Sequence, residues 1–136
     1  MTLWLADTSV VVPALLTSHD AHVAVDAALG RRRIRLPLHV AIESYSVLTR
    51  LPGDARLRPV DAAELLSVRF GTPIELPPDA GSALIQRFAE LSIAGGAVYD
   101  ALIGITATHV GGTLLTRDRR AAATYGLLGV ICSYVV

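Results

Sequence analysis

The stretch LWLADTSVVV, residues 3–12, decides the fold. Four apolar residues run into Asp7, Thr8 and Ser9 follow, and Val10, Val11 and Val12 resume the apolar pattern. A short apolar run bounded by Asp-Thr-Ser reads as a buried strand. A helix over residues 9–17 follows, with Thr8 or Ser9 as its N-cap and Pro13 in its first turns. Such a strand-to-helix passage leaves Asp7 at the carboxyl end of the strand.

The same alternation continues outward. Helices are expected over residues 21–29, 38–51, 61–70, 79–91 and 98–110, with Gly30, Pro52-Gly53, Gly71 and Gly111-Gly112 as stop signals. IRL (34–36), PIEL (73–76), TLLT (113–116) and VICSYVV (130–136) read as further strands, and DRRAAATYG (118–126) as a short helix. Five short strands separated by helices, with few hairpin signals, predict a three-layer α/β/α sandwich around a parallel sheet. Ligands of such sheets bind beyond the carboxyl ends of the strands, where strand order reverses. Asp7 and Asp118 both fall at strand ends of that kind.

Composition narrows the class. At 136 residues the chain fits one domain, residues 1–136. Hydrophobic residues reach 52%, so either the core is very well covered or apolar surface is left for a partner. No apolar run approaches the roughly 18–20 residues of a membrane span. Cys132 is the only cysteine, which excludes an intrachain disulfide and agrees with a cytoplasmic protein. Net charge is +0, and all 12 basic residues are arginine. A global basic field for nucleic acid is therefore absent.

Four acids stand in apolar surroundings. Asp7 follows LWLA, Glu43 lies in LHVAIESYSVL, Asp100 lies in AVYDALIGI, and Asp118 follows TLLT. Taken singly, Asp7 and Asp118 are helix caps, Glu43 is a partner for Arg50, and Asp100 is a first-turn acid favoured by the helix dipole. Taken together, they suit a divalent cation, because crowded buried carboxylates need neutralising and hard cations take oxygen ligands. His19 and His22 flank Asp20 without a third ligand and read as surface. His39 and His109 read as ordinary helix residues.

The pieces LADTSVVVPALL, AIESYSVLTRL and VYDALIGITATHVGGTLLTRDRRAAATYGLLGV together resemble the PIN-domain ribonucleases, and among them the VapC-type toxins of toxin–antitoxin pairs. The match runs through the chain and is loose only over about residues 53–92. The resemblance implies an endoribonuclease that cleaves tRNA, rRNA or mRNA. It places Asp7, Glu43, Asp100 and Asp118 on the family's acidic quartet and Thr116 on its hydroxyl position, with Thr8 and Ser9 supporting the first acid. It further implies one or two Mg²⁺ or Mn²⁺ ions, a VapB-type antitoxin and a homodimer. Some members carry one more acid near the last Asp; here Arg119 and Arg120 follow Asp118.

Arginine chemistry suits phosphate. Arg117, Arg119 and Arg120 adjoin Asp118 and are the candidates for gripping RNA. Arg31, Arg32, Arg33 and Arg35 form a second cluster, which either contacts RNA or complements the end of the preceding helix. Val10, Val11, Leu15 and Leu16 are candidates for an antitoxin groove, with core packing as the other reading. Two other classes compete: a catalytically inactive PIN-fold binding module, and an aspartyl-phosphate phosphotransfer domain built on Asp7. The second needs a lysine to stabilise phosphate, and the chain has none.

Overall fold

The computed structural model describes residues 2–135. Strand β1 (Trp4–Ala6) passes through Asp7 into helix α1 (Thr8–Leu15), followed by α2 (His22–Leu29) and strand β2 (Ile34–Arg35). Helices α3 (Leu38–Thr49), α4 (Pro59–Phe70), α5 (Pro78–Ser82), α6 (Leu84–Glu90) and α7 (Ala97–His109) come next. Strand β3 (Thr113–Thr116), helix α8 (Ala122–Leu127) and strand β4 (Cys132–Tyr134) complete the order.

The sheet is parallel, with strand order β2-β1-β3-β4. The chain steps from β1 to one side for β2 and later returns to the other side for β3. The switch point therefore lies between β1 and β3. Asp7 follows β1 and Asp118 follows β3 by two residues, so both stand at that crevice. The Asp7 amide extends the pairing by donating to the Leu115 carbonyl at 3.1 Å.

The strand expected over residues 130–136 shortens to Cys132–Tyr134, Val136 lying outside the described residues, and two larger differences stand out. PIEL forms no strand: it is reduced to a single bridge between Pro37 and Ile74, so the described sheet has four strands. Prolines at 73, 77 and 78 remove the amides that a longer ladder needs. The helix expected over residues 79–91 is split into α5 and α6.

The core explains the high apolar content. Leu5, Val10, Val11, Val25, Val40, Leu48 and Leu114 are wholly enclosed. A smaller cluster of Ile93, Ala101, Ile105 and Leu128 fills the space between α7 and α8. Gly104 on α7 permits a close approach, since a Cβ there would lie 2.7 Å from Val130 Cγ2 and 3.1 Å from Tyr125 Cδ1. The missing side chain lets the Tyr125 ring press against α7. Gly112 admits the Leu5 side chain in the same way, because a Cβ would collide with Leu5 Cδ1.

Candidate functional site

Asp7, Glu43, Asp100 and Asp118 line one cavity of about 580 Å³ together with Thr8, Ser9, Arg50 and Arg120. The four acids come from the end of β1, the middle of α3, the first turn of α7 and the loop after β3. They are separated by up to 111 residues (118 − 7) in sequence.

Asp7 is the most deeply held, at 4% exposed. Its Oδ1 accepts from the Ser9 amide at 3.1 Å and the Ser9 hydroxyl at 2.5 Å. Its Oδ2 accepts from the Thr116 hydroxyl and from the Tyr125 hydroxyl, the latter at 3.2 Å. Each small hydroxyl is itself fixed. Ser9 Oγ accepts from the Arg117 amide at 2.8 Å, and Thr116 Oγ1 accepts from the Asp118 amide at 3.0 Å. The turn after β3 thus orients two hydroxyls, which orient one carboxylate.

The cap and the site are one device here. Asp7, not Thr8 or Ser9, caps α1, and Asp118 Oδ1 accepts from the Arg120 amide at 3.0 Å at the next turn. Capping leaves charge at the crevice. Glu43 does not pair with Arg50; its Oε1 accepts from the Thr8 hydroxyl, and its Oε2 stands 3.8 Å from His39 Nε2.

Electrostatics describe a cavity short of positive charge. Burial raises the Asp7 pKa above the usual 3.8; its hydrogen bonds oppose this and the Asp118 charge adds to it. Burial also raises Asp100, helped by the charges of Asp118, Asp7 and Glu43, with only Arg120 opposing. The Tyr125 hydroxyl is pushed up by burial and by Asp7 and Asp100, so it stays protonated and acts as a donor. An all-oxygen donor set whose members repel one another fits a hard divalent cation. Among the described residues no three acids, histidines or cysteines stand close enough together to hold a metal ion by themselves. The site is open, with room for water and substrate oxygens to complete a coordination shell.

The structure divides the other candidates. Of the arginines near Asp118, only Arg120 lines the cavity, with Nε 3.3 Å from Asp118 Oδ1. Arg117 turns to the Ser9 carbonyl at 3.4 Å, and Arg119 lies over the Tyr134 ring at 4.1 Å. Val10 and Val11 are fully enclosed, because α1 is wrapped by α2 and α3, and they offer no groove to a partner. Leu15 and Leu16 are half-buried against the same core. His19 Nδ1 accepts from the Ala21 amide and His22 Nδ1 lies 2.8 Å from the Pro13 carbonyl, so neither approaches the acids.

Sequence reasoning missed Tyr125, the fourth group on Asp7. A fully buried tyrosine must find a hydroxyl partner, which was the available signal. It also missed the stacking of His39 on Tyr99, since the two lie 60 residues apart (99 − 39) on different helices.

A parallel sheet with acids gathered at its switch point defines an α/β protein with an acidic crevice. The chain belongs to the PIN domain family, which it matches over residues 5–127. It is 48% identical over 124 residues to Ribonuclease VapC27 of Mycobacterium tuberculosis, covering 91% of this chain and 90% of that protein. Solved structures share its fold. VapBC2 of Rickettsia felis, bound to a DNA fragment from its promoter, superposes with a TM-score of 0.69 at 16% identity, covering 99% and 100% of the two chains. VapC20 of Mycobacterium tuberculosis, a sarcin-ricin-loop-cleaving toxin, gives 0.68 at 17%, covering 88% and 93%.

Proposed function

We propose that this chain, as one PIN domain, is a metal-dependent endoribonuclease toxin of the VapC type that acts on cytoplasmic RNA. The observation that carries the reading is the meeting of Asp7, Glu43, Asp100 and Asp118 around one cavity at the switch point. The 48% identity to a protein named a ribonuclease supports it.

Asp7, Asp100 and Asp118 would hold Mg²⁺ or Mn²⁺ directly or through water, and Glu43 would hold a second ion or orient the attacking water. When bound, the cation lowers the pKa of water and stabilises charge on a phosphate. The protein's own groups do the rest. The Thr8 hydroxyl engages Glu43 Oε1 and so leaves Oε2 to align a water for in-line attack. Arg50 and Arg120, which both line the cavity, supply guanidinium donors to phosphate oxygens. Hydrolysis in this arrangement leaves a 5′-phosphate and a 3′-hydroxyl.

A VapB-type antitoxin and a second copy of the chain belong to the same reading. One apolar surface open to such partners lies on α3, where Ile42 is 59% exposed beside a hollow of about 400 Å³ lined by Leu36, Leu38, Tyr45 and Leu66. It replaces the groove expected at Val10 and Val11.

Cleavage of total cellular RNA by the purified protein tests the reading. Asp100→Asn is expected to reduce the rate at least a hundredfold, as is removal of divalent metal with EDTA. Full activity after either treatment rejects the proposal.

A further inference from the structure

We propose that Tyr99, backed by His39, is the platform on which an unpaired RNA base next to the scissile phosphate stacks. The inference rests on the ribonuclease reading and adds to it how the substrate is held.

Helices α3 and α7 each bring one acid to the cavity and one ring beside it. Tyr99 directly precedes Asp100 on the first turn of α7. His39 precedes Glu43 by one turn of α3, with Nε2 3.8 Å from Glu43 Oε2. The two rings are nearly parallel, at 9°, with centroids 5.3 Å apart. Tyr99 nevertheless remains 56% exposed. Core packing does not account for a ring that open, yet its plane is fixed by the imidazole beneath it.

The phosphate cavity itself contains no ring. A phosphate drawn between the acids and Arg50 or Arg120 therefore leaves its neighbouring base outside, and the Tyr99–His39 pair, whose imidazole Nε2 stands 3.8 Å from Glu43 Oε2, offers it a flat surface. Aromatic side chains hold unstacked bases in this way, with little dependence on base identity. A base within a duplex has both faces occupied and cannot use such a platform. The geometry thus favours single-stranded or looped RNA at the cut.

The probe is single-stranded RNA carrying 2-aminopurine at its adenine positions, with Mg²⁺ present. The fluorescence is read on binding to Asp100→Asn, which is expected to hold RNA without cutting it, and to Asp100→Asn/Tyr99→Leu. Quenching that is present in the first and largely lost in the second is expected. In cleavage assays on the same RNA, Tyr99→Leu is expected to raise KM about tenfold, and Tyr99→Phe, which keeps the ring, to restore it. Equal quenching in both proteins, or none in either, overturns the stacking proposal. A wild-type protein that binds with Tyr99-dependent quenching but cuts no RNA rejects the ribonuclease reading instead.

Discussion

The two ends of the sheet carry opposite charge and hold it in opposite ways. At the carboxyl end, Asp7 is buried and takes four hydrogen bonds, two of them from hydroxyls that are themselves fixed by backbone amides. At the amino end, Arg31, Arg32, Arg33 and Arg69 surround a hollow of about 250 Å³ and remain exposed. Arg32 donates to the Ala28 carbonyl at the end of α2 and covers the Trp4 ring at 4.5 Å; Arg35 donates to the Thr72 carbonyl. These arginines finish helix and loop ends in water. The acids are assembled against their mutual repulsion and held before any substrate arrives. Preorganised charge is what catalysis uses, so function should respond to one end far more than to the other.

The largest expected contrast is between Asp100→Asn and Arg31→Ala. The first should cost at least a hundredfold in RNA cleavage, while the second should leave the rate within about twofold and stability within about 0.5 kcal/mol. Comparable losses in a parallel rate measurement would erase the distinction. Thr116→Val comes next. It removes a donor from Asp7 and leaves the Asp118 amide without its acceptor, an expected cost of about 1–3 kcal/mol in urea unfolding and about tenfold in kcat. An unchanged kcat would show that the hydroxyl relay serves folding alone.

Arg120→Ala is expected to weaken RNA binding severalfold and to lower the slope of log affinity against log salt by about one. The same substitution at Arg119, which lies over Tyr134, should leave the slope unaltered. A slope change at Arg119 rather than Arg120 would reverse the assignment.

The smallest effect is on thermal stability. Because the folded-state pKa values of Asp7 and Asp100 lie above 3.8, the metal-free fold holds these protons more tightly than the unfolded chain does. Their contribution to stability is full below about pH 3.8 and is lost as pH rises through the raised values. Mg²⁺ should therefore raise Tm by a few degrees at neutral pH and progressively less on acidification. Asp100→Asn should raise the metal-free Tm at neutral pH. Melting curves with and without Mg²⁺ decide it; a metal effect that grows as pH falls would contradict the sign.

Much of this was legible in the residues. LWLAD and TLLTRD showed strands ending in acids, because a short apolar run stopping at a carboxylate leaves few other arrangements. Glu43 and Asp100 stood out because an acid inside an apolar helix needs a compensating charge. PIEL misled, since its apolar pattern suits a strand while its flanking prolines deny it the ladder. What the sequence did not show is where Arg117, Arg119 and Arg120 point: adjacency to Asp118 says nothing of direction, and the turn after β3 sends the three side chains to Ser9, Tyr134 and the cavity.

The sequence by itself determined which chemistry the chain carries: four carboxylates in apolar settings, no lysine and a single cysteine, in a β-α alternation that brings strand ends to one edge. Only the tertiary structure decided how that chemistry is held. Strand order β2-β1-β3-β4 is a matter of long-range pairing, and it alone sets Asp7 beside Thr116, 109 residues away. The same packing buried Val10 and Val11, turned Tyr125 onto Asp7 and laid His39 against Tyr99. Local propensity cannot encode such contacts, because each depends on which faces two distant elements present to one another.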